Sequence, residues 1–294
     1  MNKLITVFLT FIILATSCAQ SKKNDYVVTI KTKYGDMVAI LYDETPKHKE
    51  NFIKLAKAHY FDSLLFHRVI QGFMIQGGDP NSKKAKPGES LGNGGPGYTV
   101  PAEFNPKFFH EKGALSAARL GDQQNPEKAS SGSQFYVVQG SVLTPADIDN
   151  LKYDQGMLMN GLRKMFESPS NKPLLDSLTS LYYSGDMVAY QKRLIELIPR
   201  VEKATGMKLT KANMSEEKRK LYTTVGGSPH LDGEYTVFGK VIKGLDIIDK
   251  IAAAQRDAGD RPVEDLRMFV SVEEMSKKKI TKDYGYIYPE VPKK

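Results

Sequence analysis

The 294-residue chain has no tryptophan, one cysteine (Cys18) and five histidines. A lone cysteine forms no intramolecular disulfide, so no oxidative framework holds the fold. His48, His59, His67, His110 and His230 share no metal-ligand spacing, and a single thiol cannot complete a zinc site, so no metal and no other cofactor is expected. Long apolar runs are also scarce: beyond the N-terminus no segment is long and apolar enough to cross a bilayer. The formal charge of +8 comes from lysines spread along the chain. Its densest runs, Lys83, Lys84 and Lys86 and then Lys277 to Lys279, lack interleaved aromatics, so they read as solvated faces and not as a nucleic-acid surface.

Conventional catalytic constellations are missing too. "GNGGPG" at Gly92 to Gly97 is followed by Tyr98-Thr99-Val100-Pro101 where a dinucleotide fold needs a helix, so it reads as a turn-rich loop. Ser133 lies in "SGSQF", which is not a nucleophile elbow. Asp246 and Asp249 are one helical turn apart but sit beside Lys243 and Lys250, the pattern of a solvated helix face.

What is present begins with "LITVFLTFIILA" after Lys3, a run of signal-peptide length ending in "ATSC". Residues 1–17 are therefore expected to be a leader and left out of the fold. The arrangement resembles a bacterial lipoprotein signal, in which cleavage leaves the cysteine, here Cys18, as a lipid-modified N-terminus; Ala15 replaces the usual leucine. That implies an extracytoplasmic protein on a bacterial membrane, expected at the periplasmic face of the outer membrane, with residues 18–25 as tether. Losing Lys3 with the leader would leave a charge of +7.

The remainder, 40% hydrophobic and 26% charged over the whole sequence, reads as globular. Val27 to Lys31 and Met37 to Leu41 alternate as strands around the turn "TKYGD". Thr45 and Pro46 open a helix presenting Phe52, Leu55 and Ala56. Phe66 to Ile70, Phe73 to Gln76 and "GSQFYVV" to Val138 are strand-like. From Ser141 the period becomes helical: Ile148, Leu151, Leu158, Leu162 and Met165 predict one helix, Leu174 to Leu181 a second, and Met187 to Leu197 a third stopping at Pro199. Ser215 starts a fourth. Strand pattern returns after the Asp232-Gly233 turn, with a helix from Leu245, a last strand over Asp265 to Val272, and a tail without periodicity. The expected layout is a β domain over 26–140 and 226–272, a helical insertion over 141–225, and a tail over 273–294.

Three stretches carry a resemblance: "FHRVIQGFMIQGGDP", "GALSAARLGDQQNPEKASSGSQFYVV" and "HLDGEYTVFGKVIKGLDIIDKI". Together, and in this order, they resemble the cyclophilin family of peptidyl-prolyl cis/trans isomerases. The resemblance implies a mainly β fold, an eight-stranded antiparallel barrel capped by two helices, here with an inserted α-helical subdomain. It implies turnover of X-Pro bonds in proline-containing unfolded or extended polypeptides, assisting folding, with Arg68 as the catalytic donor and Gln76 holding it. Phe73, Met74, Tyr136 and Leu231 would line the proline pocket and Tyr235 close its edge. Gln134 would join the polar rim, with Ala118 and Arg119 along the substrate backbone. Tyr136 stands where the family usually has Phe, Tyr235 at a frequent His position, Arg119 at a frequent Asn position, and His230 where cyclosporin-sensitive members have Trp, so tight cyclosporin binding is not expected. The Tyr136 hydroxyl needs a partner. A monomer is expected; a non-catalytic proline-segment binding module or holdase is the alternative.

Overall fold

The computed structural model describes residues 23–209 and 214–289; the expected leader, Cys18 and the first part of the tether lie outside the described residues. Strands β1 (Asn24–Thr32) and β2 (Gly35–Leu41) form the first hairpin, closed by the pair Thr32 and Gly35. Helix α1 (Pro46–Lys57) leads to β3 (Leu64–Ile70) and β4 (Met74–Gly77), then β5 (Thr99–Val100), β6 (Ala114–Ala117), β7 (Ser130–Ser131) and β8 (Phe135–Val138). Five helices follow: α2 (Pro145–Asn150), α3 (Gln155–Phe166), α4 (Lys172–Tyr183), α5 (Met187–Thr205) and α6 (Glu216–Thr224). The chain ends with β9 (Val237–Lys243), α7 (Leu245–Ala252), β10 (Arg267–Ser276) and α8 (Lys277–Tyr284).

Eight strands close an antiparallel barrel in the order β1-β10-β3-β4-β8-β6-β9-β2, while β5 and β7 make a separate small pair. Closure leaves no free sheet edge among these eight. Phe52 of α1 stands inside an aromatic cluster, 4.9 Å from the Phe61 ring, 5.4 Å from Phe135 and 5.6 Å from Phe238. Ile247, Ile248 and Ile251 of α7 bury in the same core, so the two helices cover the barrel as the expected architecture requires.

One irregularity decides how β3 presents its side chains. Phe66 pairs with Gly77 and Arg68 with Gln76, so two residues advance on β3 for one on β4, and His67 is the extra residue of a bulge. Strict alternation would turn Phe66 and Arg68 to the same face. With the bulge, Phe66 and Val69 both enter the core and Arg68 stands outside it.

Four local expectations differ from the structure. Thr45 occupies the N-cap of α1, but its side chain makes no capping bond. Glu103, from a distant loop, accepts from the Lys47 and His48 amides at 3.1 and 3.0 Å, and a carboxylate there also suits the helix dipole. The single helix expected from Thr144 is broken into α2 and α3, because the Asp154 side chain caps a new start by accepting from the Met157 amide at 2.9 Å. Pro199 does not stop α5, which runs on to Gly206 in left-handed conformation. An interior proline costs about 3 kcal/mol. Ile198 and Val201 are both buried around it, each worth about 1.5–3 kcal/mol, so burial outweighs the lost hydrogen bond. Finally, β10 extends beyond Val272 to Ser276, pairing with Asn24 of β1, and α8 follows with Ile280 fully buried against Val27 and Ile40. The periodicity is obscured there because only one residue of α8 is buried.

The helical segment leaves and rejoins the barrel at one place. Gly227 donates its amide to the Ser141 carbonyl at 3.0 Å, and a side chain at Gly227 would stand 2.2 Å from the His110 carbonyl. Within the segment, α3, α4 and α5 share a core of their own, including Leu162, Leu178, Leu197 and Val201.

The bulge residue generates a pH prediction. His67 is buried, neither ring nitrogen has a hydrogen-bond partner among the described residues, and burial pushes its imidazole down to about 4, with Arg68 and Arg261 adding to the effect against Asp79. The unfolded state takes up a proton near 6.5 that the folded state refuses until about 4, so stability is full above 6.5 and is lost as pH falls through that window. At 1.36 kcal/mol per pH unit the loss reaches about 3 kcal/mol. Denaturant unfolding of wild type and His67→Phe between pH 7 and 4 is expected to show a shallower decline in the variant; equal declines would sink the assignment.

Candidate active site

The outward turn of Arg68 aligns it with a row of residues across neighbouring strands. Arg68 on β3 pairs with Gln76 on β4, Gln76 with Tyr136 on β8, and Tyr136 with Ser116 on β6. Cross-strand partners share a face of the sheet. Met74 lies two residues from Gln76, on the same face, and Phe73 ends the turn before β4. Leu231 and Tyr235 arrive on the connection before β9.

These residues surround a hollow of about 110 Å3, lined by Arg68, Phe73, Met74, Gln76, Ala118, Arg119, Tyr136, Leu231 and Tyr235. Phe73, Met74, Ala118, Leu231 and two tyrosines supply its apolar and aromatic side chains, while Arg68, Gln76 and Arg119 make much of the lining polar. The volume equals that of about four waters, a space for one small compact ring. Of the ten residues singled out from sequence at this site, only Gln134 is absent from the lining. It stands directly behind, accepting from Gln76 Nε2 at 3.1 Å.

The rim is tied together by side-chain amides. Arg68 donates to Gln76 Oε1 at 3.4 Å and approaches Asp260 at 3.9 Å, and its side chain is 42% exposed. Gln134 Nε2 in turn donates to the Gly92 and Gly94 carbonyls at 2.8 and 2.7 Å. The glycine-rich loop is thus an anchor for the rim. Asp79 fixes it by accepting from the Gly92 and Gly94 amides at 2.6 and 3.2 Å, and a Cβ at Gly94 would fall 2.0 Å from Asp79 Oδ1.

Arg119 lines the hollow with its charge already paired. Its side chain is only 4% exposed: Nε donates to the Glu234 carbonyl at 2.9 Å, Nη1 to Asp122 at 2.6 Å, and the guanidinium lies 4.4 Å from the centre of the Tyr235 ring. Its charge is shared between Asp122 on its own loop and Glu234 on the connection before β9, so it packs on Tyr235 as a paired cation in the lining of the hollow.

The Tyr136 hydroxyl finds its partner in His110. Nδ1 of His110 lies 2.9 Å from Asp232 Oδ1, which fixes the proton on that nitrogen and leaves Nε2 to accept from the Tyr136 hydroxyl at 3.0 Å. Burial pushes the phenol well above its ordinary value, so it remains a donor. Burial also opposes ionisation of Asp232, but bonds from His110, from Lys218 at 2.7 Å and from the Tyr222 hydroxyl at 2.7 Å outweigh it and hold the carboxyl below the usual range. Lys218 and Tyr222 belong to α6, so this chain of bonds joins the hollow to the helical segment. His110 and Asp232 escaped the sequence reading because the five residues of this chain of bonds are scattered over more than a hundred positions. The one signal was the surplus hydroxyl of Tyr136.

Tyr136→Phe would leave the buried His110 Nε2 unpaired at a cost of about 1 kcal/mol. Thermal unfolding should fall by about 2–4 °C, with the hollow kept. An unchanged or higher melting temperature would show that the bond contributes nothing.

With the geometry described, comparisons with known proteins can be read against it. The family profile for "Cyclophilin type peptidyl-prolyl cis-trans isomerase/CLD" matches residues 27–155 and 197–273 and passes over 156–196. A protein of Staphylococcus haemolyticus assigned as a peptidyl-prolyl cis-trans isomerase is 31% identical over 244 residues, 83% of this chain and 88% of that one. A protein of Streptococcus pyogenes assigned as a bifunctional phosphatase/peptidyl-prolyl cis-trans isomerase is 30% identical over 81% of this chain, which spans 37% of that longer relative. Among solved structures, a cyclophilin type isomerase of Cryptosporidium parvum aligns with a TM-score of 0.49 and 20% identity over 85% of this chain and 98% of its own. The profile reaches all eight strands of the barrel, short only of the start of β1 and the end of β10, and includes every residue around the hollow, and on that match the chain belongs to the cyclophilin-type peptidyl-prolyl cis-trans isomerases.

Proposed function

We propose that the hollow binds the proline of an X-Pro segment and that Arg68 lowers the barrier to its rotation. The amide barrier of about 18–20 kcal/mol comes from partial double-bond character, and no covalent bond has to break. The catalyst therefore needs only to bind the twisted amide better than either planar form. As the bond turns, the prolyl nitrogen regains a lone pair, and a fixed donor beside it stabilises that state alone. The observation that carries the reading is the pairing of Arg68 with Gln76 at the rim of a small hollow that also offers Phe73, Met74 and Leu231, the guanidinium being partly exposed and so free to donate. Buried neutral groups behind the wall, such as Tyr136, supply shape without a competing charge.

Exchange NMR on a short X-Pro peptide tests this. Removing one preorganised donor costs about 100-fold or more in rate, the loss expected for Arg68→Ala. Equal rates in the two proteins would leave a binding module or holdase and defeat the isomerase mechanism.

We further propose that the clients are extracytoplasmic chains awaiting folding, reached by a body anchored through lipid at Cys18. Support comes from the Lys3 to Cys18 sequence, with its short apolar run, small residues and cysteine. Cells fed a labelled fatty acid should label the wild type and not Cys18→Ala; label retained in the variant would remove the anchor.

A further inference from the structure

The hollow shares Phe73 with one neighbouring depression, which in turn shares Tyr190 and Leu194 with another. Phe73 forms the hollow's wall, and on the other side of Phe73 lies a cleft of about 620 Å3 between the barrel and the helical segment. His230, whose ring is 5.4 Å from that of Phe73, lines this cleft together with Pro229 on the barrel side, and Met187, Tyr190 and Leu194 of α5 face them. Tyr190 and Leu194 also line a third depression of about 400 Å3 among α3, α4 and α5. Tyr182 and Tyr183 line it as well, in an aromatic series with Tyr190 to Tyr182 and Tyr182 to Tyr183 both at 5.7 Å.

The surface at that end is unusually apolar. Tyr183 is 82% exposed and Val188 83%, with Tyr182 and Met187 exposed beside them. Singly, exposed apolar residues need no explanation, whereas a contiguous group leading into a cleft marks a binding surface. This stretch falls within 156–196, outside the part that the family profile matches.

We propose that the cleft and the α4–α5 surface bind the client chain that flanks the proline, as an extended segment with apolar or aromatic side chains. The inference rests on the isomerase reading of the hollow. Its ground is continuity: Phe73 is common to the hollow and the cleft, so a chain seated by its proline has its flank at the cleft mouth. The scale fits. From Met187 to Leu194 α5 advances about 10 Å, the reach of about three extended residues. A four-residue peptide therefore fills the hollow alone, while one of about twelve residues reaches the far end of the track.

The experiment compares two peptides around one X-Pro bond, four and twelve residues long, the longer flanked by Leu and Phe. For the wild type, KM should fall about tenfold from short to long, equivalent to 1.4 kcal/mol, and a twelve-residue peptide flanked by Ser should not gain. In Met187→Asp, and separately in Tyr182→Ser/Tyr183→Ser, the ratio of the two KM values should collapse to about one, with folding checked by circular dichroism. Equal KM values for both lengths in the wild type would overturn the proposal. So would a ratio that survives both variants, or light scattering that finds a dimer which the variants dissolve, since a second copy would then be the occupant. Should the wild type turn over neither peptide, the isomerase reading fails instead. The same ladder read by fluorescence anisotropy then decides the track: tighter binding of the long apolar peptide, lost in the variants, sustains it, and length-independent binding overturns it.

Discussion

The extra residue at His67 governs everything the site can do. A regular β3 would carry Arg68 inward beside Phe66, where a guanidinium without a counter-charge is costly to bury. Two residues of β3 set against one of β4 turn Arg68 out, return Val69 to the core, and bring Arg68 level with Gln76 and Tyr136. The surrounding barrel is closed, so this local departure from regular pairing is held by seven other strands and cannot relax by sliding.

A reaction in which no bond breaks places its demands on rigidity, and the polar groups around the hollow are arranged for that. Gln76 and Gln134 pass the fixing of Arg68 back to the carbonyls of the glycine-rich loop, and Asp79 pins that loop from beneath. On the opposite side Tyr136, His110 and Asp232 hold the aromatic wall. Both arrangements spend buried hydrogen bonds on shape. The phosphate-binding look of "GNGGPG" thus has a plainer cause: close approach of backbone to a carboxylate.

The parts of the fold legible in the sequence were those set by periodicity and by contiguous motifs. The β1–β2 alternation, the Phe52, Leu55 and Ala56 face of α1, and the α6 start at Ser215 needed only local patterns. The three separated motifs brought the lining residues together because barrel closure makes neighbours of β3, β4, β8 and the segment before β9. What stayed hidden depended on distant partners. Glu103 caps α1 from about fifty positions away, the buried flanks of Pro199 keep α5 whole, and α8 is recognisable only once Ile280 meets Val27. Arg119 reached the hollow as the motif implied, but its salt partners, Asp122 and Glu234, gave no sign in sequence of converging on it.

The seam between β1 and β10 joins Asn24 to Ser276, nearly the two ends of the described chain. During synthesis β1 must wait for β10 to emerge before its second neighbour exists. Pairing over so large a sequence separation is slow, since a long loop has to be closed before the contact rewards it. The barrel therefore cannot shut before β10 has been made, and the contact that closes it is the one farthest apart in sequence among the paired strands.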